Sequence, residues 1–127
     1  MFIPEDDRIY LDGKGYQFEE IIDNGKKGLL IKNWQLPESK YTQVTINLLI
    51  IIPDGYSDIP PDMFYTYPII YLLPNRNLAE ATGGALNFNN ITWQQWSRHA
   101  ITQDWRPGID GIHTYLKKVQ NALNTAK

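Results

Sequence analysis

Chemistry in this chain has few places to start. There is no cysteine, which excludes disulfides, thiolate metal sites and thiol nucleophiles together. The two histidines, His99 and His113, are too few for a zinc site, and no metal or cofactor is expected. One stretch, Trp93-Gln-Gln-Trp-Ser-Arg-His99, puts a hydroxyl close to an imidazole. A serine hydroxyl is a weak nucleophile near neutral pH and needs an adjacent base. Imidazole is the side chain best suited to that role, and His99 lies two residues from Ser97. Asp104 is the carboxylate available to orient His99. Conformation decides whether the pair can work. On a helix, side chains at i and i+2 point about 200° apart; in an extended segment they share a side.

These residues must be held by a small soluble fold. A chain of 127 residues suits one domain with a single real core. It is 43% hydrophobic and 20% charged, as ordinary globular domains are. Net charge is −2, and the longest basic runs are the pairs Lys26-Lys27 and Lys117-Lys118. No nucleic-acid partner is therefore expected, since such binders carry a basic stripe. The longest apolar run, residues 48–52, is far too short to span a bilayer, so no membrane partner is expected. The start turns acidic at Glu5-Asp6-Asp7 before any apolar stretch develops, so no secretory signal is expected. The cytoplasm is the expected compartment.

The elements come next. Residues 16–22 and 28–36 read as strands joined through Asn24-Gly25, a pair that tolerates the positive φ of a tight hairpin. Leu29, Ile31 and Trp34 are expected to pack inward. Residues 42–52 form the strongest strand, β-branched and apolar on both faces at its end, as a covered central strand is. After a proline-rich bend, residues 64–72 read as a fourth strand, with Pro68 marking an edge or bulge. Residues 73–90 read as a loop with a short helix at 78–81. Ile109, Ile112, Leu116, Val119 and Leu123 recur at steps of three and four, the stripe of an amphipathic helix on a sheet. Asp110 is expected to serve that helix's N-terminus. The fold class is α+β, with helices on one face of an antiparallel sheet.

Two segments, taken together, resemble the ubiquitin-conjugating (E2) superfamily. Gly55-Tyr-Ser-Asp-Ile-Pro-Pro-Asp-Met-Phe64 is similar to the Tyr-Pro-x-x-Pro-Pro bend between strands three and four of E2 enzymes. Pro60-Pro61 keeps the double proline, and Ser57 replaces the first one. Trp105-Arg-Pro107, ahead of the amphipathic helix, is similar to the E2 Trp-Ser-Pro. The resemblance covers residues 16–124 and is closest to the bacterial proteins called prokaryotic E2 family E. It implies a UBC-like, four-stranded antiparallel β-meander with C-terminal helices packed on one face. The N-terminal helix is expected to be reduced or absent, with residues 1–15 as an extension of a single domain spanning 1–127.

In E2 enzymes the catalytic cysteine lies eight residues before the Trp, and that offset falls here on Ser97. The asparagine of the E2 His-Pro-Asn corresponds to Asn89, preceded here by Asn87-Phe88. The resemblance thus implies a carrier that takes a ubiquitin-like protein from an E1-like activating enzyme as an oxyester on Ser97. His99 would be its base, and Asn89 the donor to the tetrahedral oxyanion. Relatives of this kind are often encoded beside an E1-like enzyme, a ubiquitin-like protein and a JAB-type protease. The competing reading is an inactive E2-like module that only binds a ubiquitin-like protein or an E1. It makes Ser97 a solvent-facing serine, His99 a structural histidine and Asn89 a turn residue. Under either reading Trp93 and Trp96 are core anchors.

Overall fold

Asn24 and Gly25 both take positive φ, 50° and 80°, the twist-matched two-residue turn. They join β1 (Gln17–Asp23) to β2 (Lys26–Gln35), as the Asn-Gly pair requires. In the computed structural model, which describes residues 1–127, β3 (Thr45–Ile52) and β4 (Phe64–Tyr67) extend this pairing into a four-stranded meander. The sheet then goes further than expected. β5 (Ala85–Phe88) and β6 (Ile91–Trp96) form a second hairpin, and β6 pairs with β4. The sheet has six strands in the order β1-β2-β3-β4-β6-β5.

Three expectations are corrected by these strands. The expected loop over 73–90 contains β5, and residues 78–81 form no helix. Trp93 to Trp96 lie in strand β6, Ser97 and Arg98 follow it outside any helix, and His99 opens a 3-10 turn, so no helix runs through Ser97 and His99. The fourth strand stops at Tyr67, because Pro68 has no N–H to give the ladder. The side chain of Gln94 takes over where β4 ends. Its Oε1 accepts from Ile70 N at 2.9 Å and from Thr66 Oγ1 at 3.1 Å, and its Nε2 donates to Ile70 O at 3.2 Å.

Leu29, Ile31 and Trp34 do all face inward, although their spacing breaks strict alternation. A bulge between Ile31 and Trp34 shifts the register by inserting a residue, with Asn33 at φ 57°. β3 sends Leu48 and Ile50 to one face and Leu49 to the other, all fully buried. The larger core lies between the sheet and two helices, α1 (Glu5–Gly13) and α2 (Ile112–Thr125). On the opposite face the curled sheet closes a smaller core of Leu30, Leu49, Tyr65, Phe88 and Trp93. Gly28 lies directly under the Phe88 ring, which a Cβ there would overlap. Asn89 N donates to Asp23 Oδ2 at 2.8 Å, tying one hairpin tip to the other.

The N-terminal helix, expected to be reduced or absent, is present over nine residues. Glu5, Asp6 and Asp7 occupy its first turn, where carboxylates suit the helix dipole. Its inward face is only Leu11 and Asp7, so it shows no apolar stripe. Asp7 Oδ1 accepts Ile112 N at the start of α2 (3.3 Å), and its Oδ2 accepts the Tyr56 hydroxyl (2.7 Å). This displaces Asp110 from its expected role. Asp110 instead accepts Arg106 N at 2.7 Å, and Thr114 Oγ1 takes Gly111 N at 3.1 Å. Ile109 lies outside α2 and is exposed; the rest of the predicted stripe is buried. The C-terminal part supplies one α-helix and a single 3-10 turn, His99–Thr102.

The segment before α1 is pinned by Glu20 on β1. Its carboxylate accepts Phe2 N at 2.7 Å, Ile3 N at 2.8 Å and Arg8 Nε at 3.0 Å. Burial, the largest single influence, acts to raise the Glu20 carboxyl. Arg8 and the two backbone donors outweigh it and hold the carboxyl below its ordinary value. A carboxyl lowered on folding stabilises the fold above its unfolded pKa, and that contribution is lost as pH falls through the folded value. Glu20→Gln is expected to cost about 1.5–3 kcal/mol at pH 7, the range for hydrogen bonds to a charged group. Its penalty should shrink as pH drops through and below the usual carboxylate range. Urea midpoints at pH 7 and pH 3 check this; a penalty equal at both pH values contradicts it.

Candidate functional site

Side chains alternate along β6, so Trp93 faces the smaller core while Gln94 and Trp96 face the larger one and its margin. Trp96 is fully buried, stacked on Phe64 at 5.5 Å and 15°, and donates Nε1–H to Thr66 Oγ1 at 3.0 Å. The register Phe64↔Trp96 therefore brings Met63 and Asp62 beside the residues that follow β6. Ser97 comes first after the strand. Its N–H donates to Ala81 O at 3.1 Å, with Ala81 in the left-handed region at φ 57°. Its half-buried hydroxyl donates to Met63 Sδ at 3.6 Å and accepts from Gln95 Nε2 at 3.2 Å.

His99 begins the 3-10 turn, and its Nδ1 lies 2.7 Å from Asp62 Oδ1, with both side chains mostly exposed. A carboxylate only accepts, so Nδ1 carries the proton and the neutral ring keeps its lone pair on Nε2. That is the state of a general base. Asp62 thus holds the place expected of Asp104, which instead bonds Lys118 Nζ at 2.9 Å. Lys118, through that hydrogen bond, lowers the Asp104 carboxyl from its ordinary value. No hydrogen bond joins His99 to Ser97.

Asn89 is not part of this cluster. With Asn90 it forms the β5–β6 turn, at φ 53° and 63°. Eight residues of extended chain put it roughly 26 Å from Ser97. The residues between them, after Asn90, are strand β6. Its chemistry is that of a turn residue, as three asparagines in four residues already suggested.

The two segments that carried the resemblance do meet. Trp105 Nε1 donates to Ser57 O at 2.9 Å, and its ring packs 6.5 Å from that of Tyr56. The proline bend and the Trp-Arg-Pro turn thus brace each other beside the end of β6. The site residues that sequence reasoning missed are Asp62, Met63 and Gln95. Asp62 directly follows Pro60-Pro61, but its relation to His99 depends on the β4–β6 pairing, which brings together residues 37 positions apart.

Residues 3–126 match the profile of a prokaryotic E2-like family. The class is therefore E2-like, and the chain belongs to prokaryotic E2 family E. No curated protein and no solved structure matches it. No helix is long and apolar enough to cross a membrane.

Proposed function

We propose that this chain is an E2-like acyl carrier, which takes the C-terminal carboxyl group of a ubiquitin-like protein as an oxyester on Ser97. The observation that carries the reading is the His99–Asp62 pair at 2.7 Å, placed two residues past a hydroxyl at the open end of β6. In the loading step Ser97 Oγ attacks the acyl carbon of a thioester held by an E1-like enzyme. The C–O bond forms, the C–S bond breaks, and the hydroxyl proton passes through His99 Nε2 to the leaving thiolate. In the transfer step an amine attacks the ester carbon. The C–N bond forms, the C–Oγ bond breaks, and the amine proton returns by the same imidazole to Oγ. The cytoplasm is the proposed compartment, because secreted domains of this size usually rely on disulfides.

Incubation with the E1-like enzyme, the ubiquitin-like protein and ATP tests the reading. The expected product is an adduct labile to hydroxylamine or base, stable to thiol reductant, and absent from Ser97→Ala. No adduct under any condition sinks it. A second reading, the binding module without chemistry, is favoured by one observation: the resting Ser97 hydroxyl bonds Met63 and Gln95 rather than His99. It predicts that Ser97→Ala leaves binding and biological function unchanged.

A further inference from the structure

Gln94 and Gln95 are neighbours with opposite duties. The Gln94 amide is spent on Thr66 and Ile70. The side-chain amide of Gln95 makes one hydrogen bond, from Nε2 to Ser97 Oγ at 3.2 Å. Each amide nitrogen has two protons, so the second Nε2–H has no protein acceptor. With the Ser97 hydroxyl proton directed to Met63 Sδ, an oxygen lone pair faces Gln95, and the NH2 end of the amide meets it.

The amide is seated from below by Gly84. A Cβ on Gly84 would lie 3.2 Å from Gln95 Nε2 and 3.3 Å from its Cδ, close enough to push the group off its position. Gly84 O also accepts Gln95 N at 3.0 Å, so the strand and the amide are set by the same residue. An acyl group on Ser97 Oγ carries its carbonyl oxygen two bonds beyond the atom that Nε2 already touches. When an amine adds to that carbonyl, negative charge collects on this oxygen, and a donor fixed beside it lowers the barrier.

We infer that Gln95 is the oxyanion donor for acyl transfer at Ser97, the duty for which Asn89 lies too far away. The inference rests on Ser97 as the acyl acceptor and names a further catalytic residue of that site. The amide moves no proton. It strengthens its hydrogen bond as the tetrahedral oxyanion forms and relaxes as the oxyanion collapses.

The test uses the full chain and a small probe, the phenyl thioester of acetyl-glycylglycine, with acylation followed by intact mass. Gln95→Met keeps the side-chain length and removes the donor. It should slow acylation about 100-fold at saturating probe, with little change in the half-saturating concentration. Gln95→Glu loses its donor when ionised and regains an O–H donor when protonated. Its rate relative to wild type should therefore climb as pH falls from 7 to 5, a trend that a merely structural role does not produce. If wild type is acylated at Ser97 and Gln95→Met matches it, the inference fails while the Ser97 reading stands. A wild-type rate no faster than that of Ser97→Ala removes both. If Gln95→Met unfolds, the pH trend in Gln95→Glu decides, and a flat ratio overturns the inference.

Discussion

His99→Ala is expected to slow acylation of Ser97 about 100-fold or more, the lower end of what a positioned acid–base group contributes, and to leave the fold intact. The imidazole is 65% exposed and its carboxylate partner 63%, so little packing is lost with it. Substitutions at such positions move stability by within about 0.5 kcal/mol. Asp62→Asn is the sharper variant. It keeps size and place but offers Nδ1 either a weaker acceptor or a donor, and the second choice selects the tautomer whose proton is on Nε2. Both variants should therefore lose rate, with Asp62→Asn losing no more than His99→Ala. Single-turnover loading with the E1-like enzyme, alongside a thermal melt, separates the two effects. A His99→Ala protein that loads at the wild-type rate would falsify the role of the pair.

Trp96→Ala is expected to destabilise the fold by about 3–5 kcal/mol, as truncation of a buried aromatic does. Few residues in the chain have more to lose. The ring is fully buried, stacks on Phe64 at 5.5 Å, meets the Tyr41 edge at 6.2 Å and has the Arg98 guanidinium 5.1 Å above it. Domains of this kind are held by a total of about 5–15 kcal/mol, so much of the native state goes with one side chain. Trp96→Phe keeps a ring but gives up the bond to Thr66 Oγ1, and about 1 kcal/mol is the expected loss. Urea unfolding of the three proteins measures the series. A cost below about 1 kcal/mol for the alanine would show that the ring does not anchor β6, and Ser97 with it.

Turn chemistry and burial patterns were legible in the residues. Asn24-Gly25 gave its hairpin, residues 48–52 a strand covered on both faces, and the spacing through Leu123 the final helix. Asn89-Asn90 carried the same kind of turn signal. The hairpin around it is faint in the sequence because β5 is only four residues long and alternates weakly. The first helix hid for a related reason: half of its inward face is a carboxylate, Asp7, whose partners lie far along the chain. The candidate site was half legible. Gln95, Ser97 and His99 follow at steps of two residues in sequence, whereas Asp62 joins them only through pairing across β4 and β6, and the seating of the Gln95 amide over Gly84 is a matter of tertiary packing.

Asp7 also sets an order in time. Its acceptor oxygens bind Tyr56 and Ile112, one in the proline bend and the other 105 positions downstream. A growing chain cannot give that carboxylate both of its protein partners until α2 has left the ribosome. Contacts of such long sequence separation are slow to close, since loop entropy must be overcome before they return anything. Until then the first helix has no α2 to pack on, and the bend that leads to Asp62 lacks its brace. The candidate site is therefore expected to form late and all at once, when α2 docks, rather than strand by strand.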